Sequence, residues 1–178
     1  MTEVTQEHLQ QAVNAVVNTI EGVEELYTSQ YEVLKALFEN DNIFYTNSTN
    51  SGKTLPVVIY PEILKLLTSY GYKFPKTPKV LFVTALNSLK LSLVNSTKAM
   101  GVACEAVTTE NILQLLKSDQ SVLYISPEVL KSPKITQILL QHRSMFVLKV
   151  VDECHLGKIS KIIPSPTVFV QILKAIHS

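Results

Sequence analysis

The chain has 178 residues, 46% of them hydrophobic and 17% charged. That is enough apolar surface for one packed domain, and the composition excludes wholesale disorder. Sixteen basic residues against fifteen acidic ones leave a net charge of +1, so no global field marks a nucleic-acid or membrane binder and any basic surface must be local. Five glycines and eight prolines exclude collagen-like and low-complexity classes, and no apolar run approaches the roughly 18 residues of a membrane span.

The N-terminus, MTEVTQEHLQ, lacks the basic start and apolar stretch of a secretory signal. Cys104 and Cys154 form no CxxC pair, which favours free thiols in a reducing compartment over a disulfide framework or a cysteine zinc site. The two glycosylation-type tripeptides, at Asn47 and Asn95, are therefore taken as chance. His8, His142 and His177 lack ligand spacing and read as surface residues.

In chain order, residues 5–24 carry Leu9, Val13, Val16, Val17, Ile20 and Val23 at helical spacing, which predicts an amphipathic helix packed on the main domain. A second helix is expected from Ser29, with Ser29 and Glu32 as a capping box. Strands and helices then alternate. Asn42–Thr46 is a short strand, followed by a polar stretch to Thr54 and an apolar helix to about Tyr70. Gly71, Pro75 and Pro78 mark a loop. Lys79–Ala85 is a buried strand, Leu86–Met100 a helix closed by Gly101, and Val102–Val107 a third strand. Glu110–Lys117 is a short helix behind Thr109, and Ser121–Ser126 a fourth strand. Ser126-Pro127 and Ser132-Pro133 each read as an N-cap with proline at the first helical position. Met145–Val151 is a fifth strand, and the remainder, with Pro164 and Pro166, reads as loop and then a short helix. Short apolar strands alternating with helices predict a mostly parallel sheet covered on both faces, a three-layer α/β/α domain. Ligands bind such sheets at the carboxyl ends of the strands.

Two chemically loaded segments follow strands. Ser48-Thr49-Asn50-Ser51-Gly52-Lys53-Thr54 lies between a strand and a helix. A phosphate loop needs inward backbone N–H groups, a lysine for the outer phosphates and a hydroxyl for magnesium. Gly52-Lys53-Thr54 supplies the lysine and the hydroxyl, with a helix dipole behind them. The first glycine of the GxxxxGK[ST] pattern falls on Asn47, and asparagine tolerates left-handed backbone better than most residues. A Gly-Lys-Thr tripeptide alone is a common polar turn; its strand and helix flanks are what favour a phosphate loop. The second segment is Asp152-Glu153-Cys154-His155. An aspartate at a strand tip suits a water-bridged magnesium, and a neighbouring glutamate suits activation of water. By itself the tetrapeptide reads equally well as a solvated turn. Adjacent Cys154 and His155 would point to opposite faces of an extended segment, so a nucleophilic dyad is not expected.

Together these residues resemble the first RecA-like lobe of superfamily 2 helicases, most closely the RecQ family. Gln30, in Tyr27-Thr28-Ser29-Gln30-Tyr31-Glu32, sits where that family places an adenine-reading glutamine. Ser48–Thr54 is similar to its motif I, Val83–Leu89 (VTALNSL) to its motif Ia, Leu123–Leu130 (LYISPEVL) to its LYxxPERL segment, and Asp152–His155 to its motif II. The match covers about residues 26–158, and the order of the motifs is more specific than any one of them.

The resemblance implies a RecA-like domain over 26–178, ATP and Mg2+ as cofactors, and coupling of ATP hydrolysis to DNA strand separation. It implies that Lys53 binds the outer phosphates within a loop of Ser48, Thr49, Asn50, Ser51, Gly52 and Thr54, and that Thr54 and Asp152 hold magnesium, partly through water. Glu153 would activate water, His155 would couple the nucleotide to DNA, and Gln30 would contact adenine. Asn87, Ser88, Ser126, Pro127 and Glu128 would lie along single-stranded or partly duplex DNA. The chain departs from the family at Asn50, where glycine is usual, and at Leu156–Ile159, where the family has an aromatic-rich loop. The second lobe, with its arginine finger, is expected to be absent or supplied in trans. Such a finger is worth about 10³–10⁵ in rate, so slow turnover is expected of the isolated chain. A degenerate module that binds nucleotide or partners without turnover, and an RNA helicase lobe, stay open beside this reading. Lys73, Lys76 and Lys79 form the densest basic cluster and read as a solvated loop. A nuclear location is expected in a eukaryote and a cytoplasmic one otherwise.

Overall fold

The computed structural model describes residues 3–39, 42–47, 52–84, 87–152 and 168–174, with backbone alone at 44–47, 87–89 and 168–174. The helices are α1 (Gln6–Val17), α2 (Thr28–Phe38), α3 (Leu55–Ser69), α4 (Asn87–Ala99), α5 (Ile112–Lys117), α6 (Pro127–Leu130) and α7 (Pro133–Gln141). The strands are β1 (Ile43–Asn47), β2 (Lys79–Thr84), β3 (Cys104–Ala106), β4 (Val122–Ile125), β5 (Phe146–Asp152) and β6 (Val168–Lys174). All the strand pairs are parallel, in the order β1-β6-β5-β2-β4-β3.

Alternate residues of the central strands feed two cores. Val80, Phe82, Val122, Tyr124, Leu148 and Val150 pack with α1, α2, α3 and α4. Leu81, Val83, Leu123, Ile125 and Val151 pack with α5, α6 and α7 on the opposite face. The three-layer α/β/α architecture expected from the sequence is therefore present. Its central strands are apolar on both faces because helices cover both.

The first difference from expectation is at the carboxyl end of the chain. Residues 168–174 form β6, not a short helix, and β6 lies between β1 and β5. The run Val168-Phe169-Val170 is rich in strand-favouring residues, and parallel partners on both sides satisfy its backbone. The helix α1 is also shorter than the periodicity suggests. It stops at Val17, with Asn18 as its C-cap and the Thr19 hydroxyl donating to the Val16 carbonyl at 2.7 Å. Ile20 and Val23 still reach the core, but from turns rather than from helix.

The Ser29–Glu32 capping box does not form. The helix α2 starts at Thr28, and the Tyr27 N–H donates to Gln30 Oε1 at 2.9 Å. Ahead of α5, Thr108 rather than Thr109 organises the turn: its Oγ1 accepts from Asn111 N at 3.2 Å, and its N–H donates to Asn111 Oδ1 at 2.8 Å. The Ser126 N-cap forms as expected, accepting from Val129 N at 3.5 Å with Pro127 opening α6.

One predicted surface group, Lys79, is not on the surface, and the histidines His8 and His142 are half-buried. Lys79 is fully buried at the head of β2, where Nζ donates to the Ser118 and Gln120 carbonyls at 2.8 and 2.7 Å. Burial, then Lys65, lowers its pKa, against an opposing effect of Asp119. Lys73 and Lys76 are exposed, as a solvated loop requires. His8 is half-buried, with Nδ1 2.8 Å from the Tyr72 hydroxyl and its ring 5.5 Å from that of Tyr70. This contact fastens α1 to the loop after α3. No helix among the described residues is long and apolar enough to cross a membrane.

Candidate nucleotide-binding site

Parallel order brings the loaded segments to one edge of the sheet. β1 ends at Asn47, and Gly52-Lys53-Thr54 leads into α3. β5 ends at Asp152, in register with Ile172 of β6, which pairs in turn with Tyr45 of β1. Asp152 is thus two strands from the phosphate-loop strand, or about 10 Å at ordinary strand spacing. That gap suits a polyphosphate between them.

Gly52 has φ +63° and needs glycine there: a Cβ would lie 2.7 Å from Gln30 Nε2. Its carbonyl accepts from Leu55 N at 3.1 Å and from Gln30 Nε2 at 3.0 Å. Gln30 is 2% exposed and joins the start of α2 to the start of α3 through its one side-chain amide. Thr54 is the N-cap of α3 in αR geometry, with no side-chain capping bond. Its hydroxyl is therefore not committed to the helix end. Pro56 stands in the first turn of α3 and contributes no N–H to this helix start. Lys53 and Thr54 are half-buried.

Asp152 is half-buried. It shares the face of Leu148 and Val150, the face covered by α3. Its charge reaches Tyr124 on β4, adding to the upward push that burial gives the Tyr124 hydroxyl. That hydroxyl is paired with Thr97 Oγ1 at 2.7 Å. Thr54 and Asp152 offer hard oxygen donors of the kind Mg2+ takes. No group of three or more His, Cys, Asp or Glu side chains gathers among the described residues.

Two segments expected on a nucleic-acid strand leave the same sheet edge from adjacent strands. Asn87 and Ser88 open α4 after β2, and Ser126, Pro127 and Glu128 follow β4. Ser126 is 4% exposed and engaged as a cap, whereas Glu128 is exposed. Ser48, Thr49, Asn50, Ser51, Glu153, Cys154 and His155 lie outside the described residues.

Sequence reasoning overlooked Tyr27 and Thr84. Tyr27 is an aromatic ring, 67% exposed, immediately before α2 and bonded through its N–H to Gln30. Its exposure was not legible without knowing where α2 begins. Two clefts of about 500 and 530 Å³ lie elsewhere, along α1, and neither is lined by Gly52–Thr54 or Asp152.

No protein-family model matches the sequence, and no curated protein matches it. Solved structures do match the fold. The UvsW helicase from bacteriophage T4 superposes with a TM-score of 0.65 at 15% identity, over 96% of this chain and 60% of that one. The DUF1998 helicase MrfA, solved bound to DNA, gives 0.60 at 19% identity over 98% of this chain and 27% of that one. A nuclease-deletion mutant of the Type ISP restriction-modification enzyme LlaGI, in complex with a DNA substrate mimic, gives 0.59 at 15% identity over 82% of this chain and 17% of that one. The chain thus spans from 17% to 60% of these proteins' lengths. At these identities the likeness shows the fold alone: an α/β domain that matches the RecA-like domains of these helicases.

Proposed function

We propose that this chain is the ATP-binding lobe of a superfamily 2 DNA helicase of RecQ type. The observation that carries the reading is the meeting of Gly52-Lys53-Thr54, at the start of α3, with Asp152, at the end of β5, on one sheet edge and one inserted strand apart. In this reading Lys53 holds the outer phosphates and Thr54 and Asp152 hold magnesium. The bound ion would supply neutralisation of charge on the transferred phosphoryl group. Glu153 orients and deprotonates the attacking water, and His155 links the nucleotide to DNA. Gln30 fastens Gly52 at the start of α3, and to read adenine its buried amide must release its bond to Tyr27 N or to the Gly52 carbonyl. Asn87, Ser88 and the Ser126–Glu128 turn follow the DNA strand at its phosphates, without reading bases.

A catalytically quiet module that binds nucleotide or a partner is the second reading. Asn47 and Asn50, standing where glycine is usual in the loop, favour it. ATP hydrolysis with and without single-stranded DNA separates the two. The helicase-lobe reading expects slow hydrolysis that DNA accelerates once a second lobe is added in trans; the quiet module shows none under either condition. DNA affinity should fall about tenfold or more between roughly 50 and 200 mM salt. Affinity that ignores salt would remove the DNA contact, and tighter binding to RNA would transfer the lobe to an RNA helicase.

A further inference from the structure

Among the described residues the hydroxyl of Thr84 has no hydrogen-bond partner, although Thr84 is fully buried. Three other buried hydroxyls are bonded, Thr97 to Tyr124, Ser121 to Glu62 and Lys65, and Ser126 to Val129 N, while that of Tyr31 on α2 is also unmatched. A valine would fill the same β-branched volume at the end of β2 without burying an unmatched polar atom. The hydroxyl is therefore a cost to the fold in the form seen here.

Its position indicates what it could serve. Thr84 is the last residue of β2 and pairs in register with Asp152, the last residue of β5. Both continue the rows that face α3, Val80-Phe82-Thr84 and Leu148-Val150-Asp152. In-register residues on neighbouring strands hold their Cβ atoms about 5 Å apart, a distance a hydroxyl and a carboxylate span directly or through one water.

We propose that Thr84 is a positioning residue for Asp152. In the magnesium-nucleotide state its hydroxyl hydrogen-bonds the Asp152 carboxylate, directly or through one water, and fixes the orientation in which that carboxylate meets the metal's hydration shell. This deepens the nucleotide-site reading and rests on it.

The test compares Thr84→Val and Thr84→Ser with the unaltered chain. Melting without nucleotide is measured first, then ATP binding in excess Mg2+ and in EDTA. Thr84→Val should melt no lower than wild type, because it removes a buried unmatched hydroxyl. It should lose about tenfold in Mg-ATP affinity, the usual effect of removing an outer partner of a metal ligand. Affinity in EDTA should not change, and Thr84→Ser should restore the magnesium dependence. Equal Mg2+ dependence of Thr84→Val and wild type would overturn the role of Thr84 and leave the nucleotide site standing. A lower melting point for Thr84→Val would reveal a native partner for the hydroxyl and also overturn it. A folded wild-type chain that binds no ATP in either condition would remove both readings.

Discussion

Replacing Gly52 with alanine perturbs the site in two separable ways. The residue has φ +63°, and an L-residue with a Cβ in left-handed geometry costs about 1–2 kcal/mol. The new Cβ would also stand 2.7 Å from Gln30 Nε2, a separation real Cβ contacts do not show. The amide must move, and with it goes the 3.0 Å bond from Gln30 Nε2 to the Gly52 carbonyl, worth about 1 kcal/mol net. Gly52→Ala should therefore destabilise the fold by about 2–3 kcal/mol. With Gln30 already shortened to alanine, the clash and the bond are both gone and only the backbone cost of about 1–2 kcal/mol should remain. A double-mutant cycle by urea denaturation would then give a coupling of about 1 kcal/mol. Additivity within about 0.3–0.5 kcal/mol, the behaviour of independent sites, would refute the claim that one glutamine amide ties α2 to the phosphate loop.

Three further outcomes follow from the packing. Lys79→Met should cost about 2–4 kcal/mol, because the buried Ser118 and Gln120 carbonyls lose their donor, whereas Lys73→Ala and Lys76→Ala should stay within about 0.5 kcal/mol. Equal effects at the three lysines, read from denaturation midpoints, would contradict the buried placement. Thr97→Val should cost about 1–3 kcal/mol by stranding the Tyr124 hydroxyl, and adding Tyr124→Phe should recover much of that; a double variant no more stable than Thr97→Val would count against the pair. Burial lowers the Lys149 pKa to about 8, against about 10.4 in an unfolded chain. Below pH 8 both states are protonated. Between about pH 8 and 10 the unfolded state holds the extra proton, so this residue makes stability rise with pH. Cys104, pushed up to about 11 by burial, acts in the opposite sense from about pH 9, so the comparison must be with Lys149→Met. Wild type should gain on that variant between pH 7.5 and 9.5; a constant difference would exclude the effect.

The strands buried on both faces were legible because helix cover leaves them as apolar runs: Val80–Val83, Val122–Ile125 and Leu148–Val151, the last interrupted only by Lys149. The loaded segments were legible because each directly follows such a run or a short strand. β6 was not, since seven residues after two prolines carry too little periodicity to separate strand from helix. Its Val-Phe-Val start was the available signal, and it was outweighed by the expectation that the chain ends in a helix. The capping box failed for a tertiary reason: the partner of α2 at its start is Gln30, whose amide is held from 22 residues away by the Gly52 carbonyl. Lys79 misled because a lysine beside other lysines looks solvated, and its acceptors lie 39 and 41 residues further on. Thr84 lies in the segment similar to motif Ia, but nothing local marks its hydroxyl. Its interest comes from register with Asp152, which only the strand order reveals.

Calorimetry of Mg-ATP binding to the 178-residue chain, with Lys53→Ala beside it, tests the central claim most directly. Binding by the wild-type chain that vanishes in Lys53→Ala, with both proteins folded by circular dichroism, is the predicted result. Undetectable binding by the folded wild-type chain, or equal binding by the two proteins, would contradict a working nucleotide site at the start of α3.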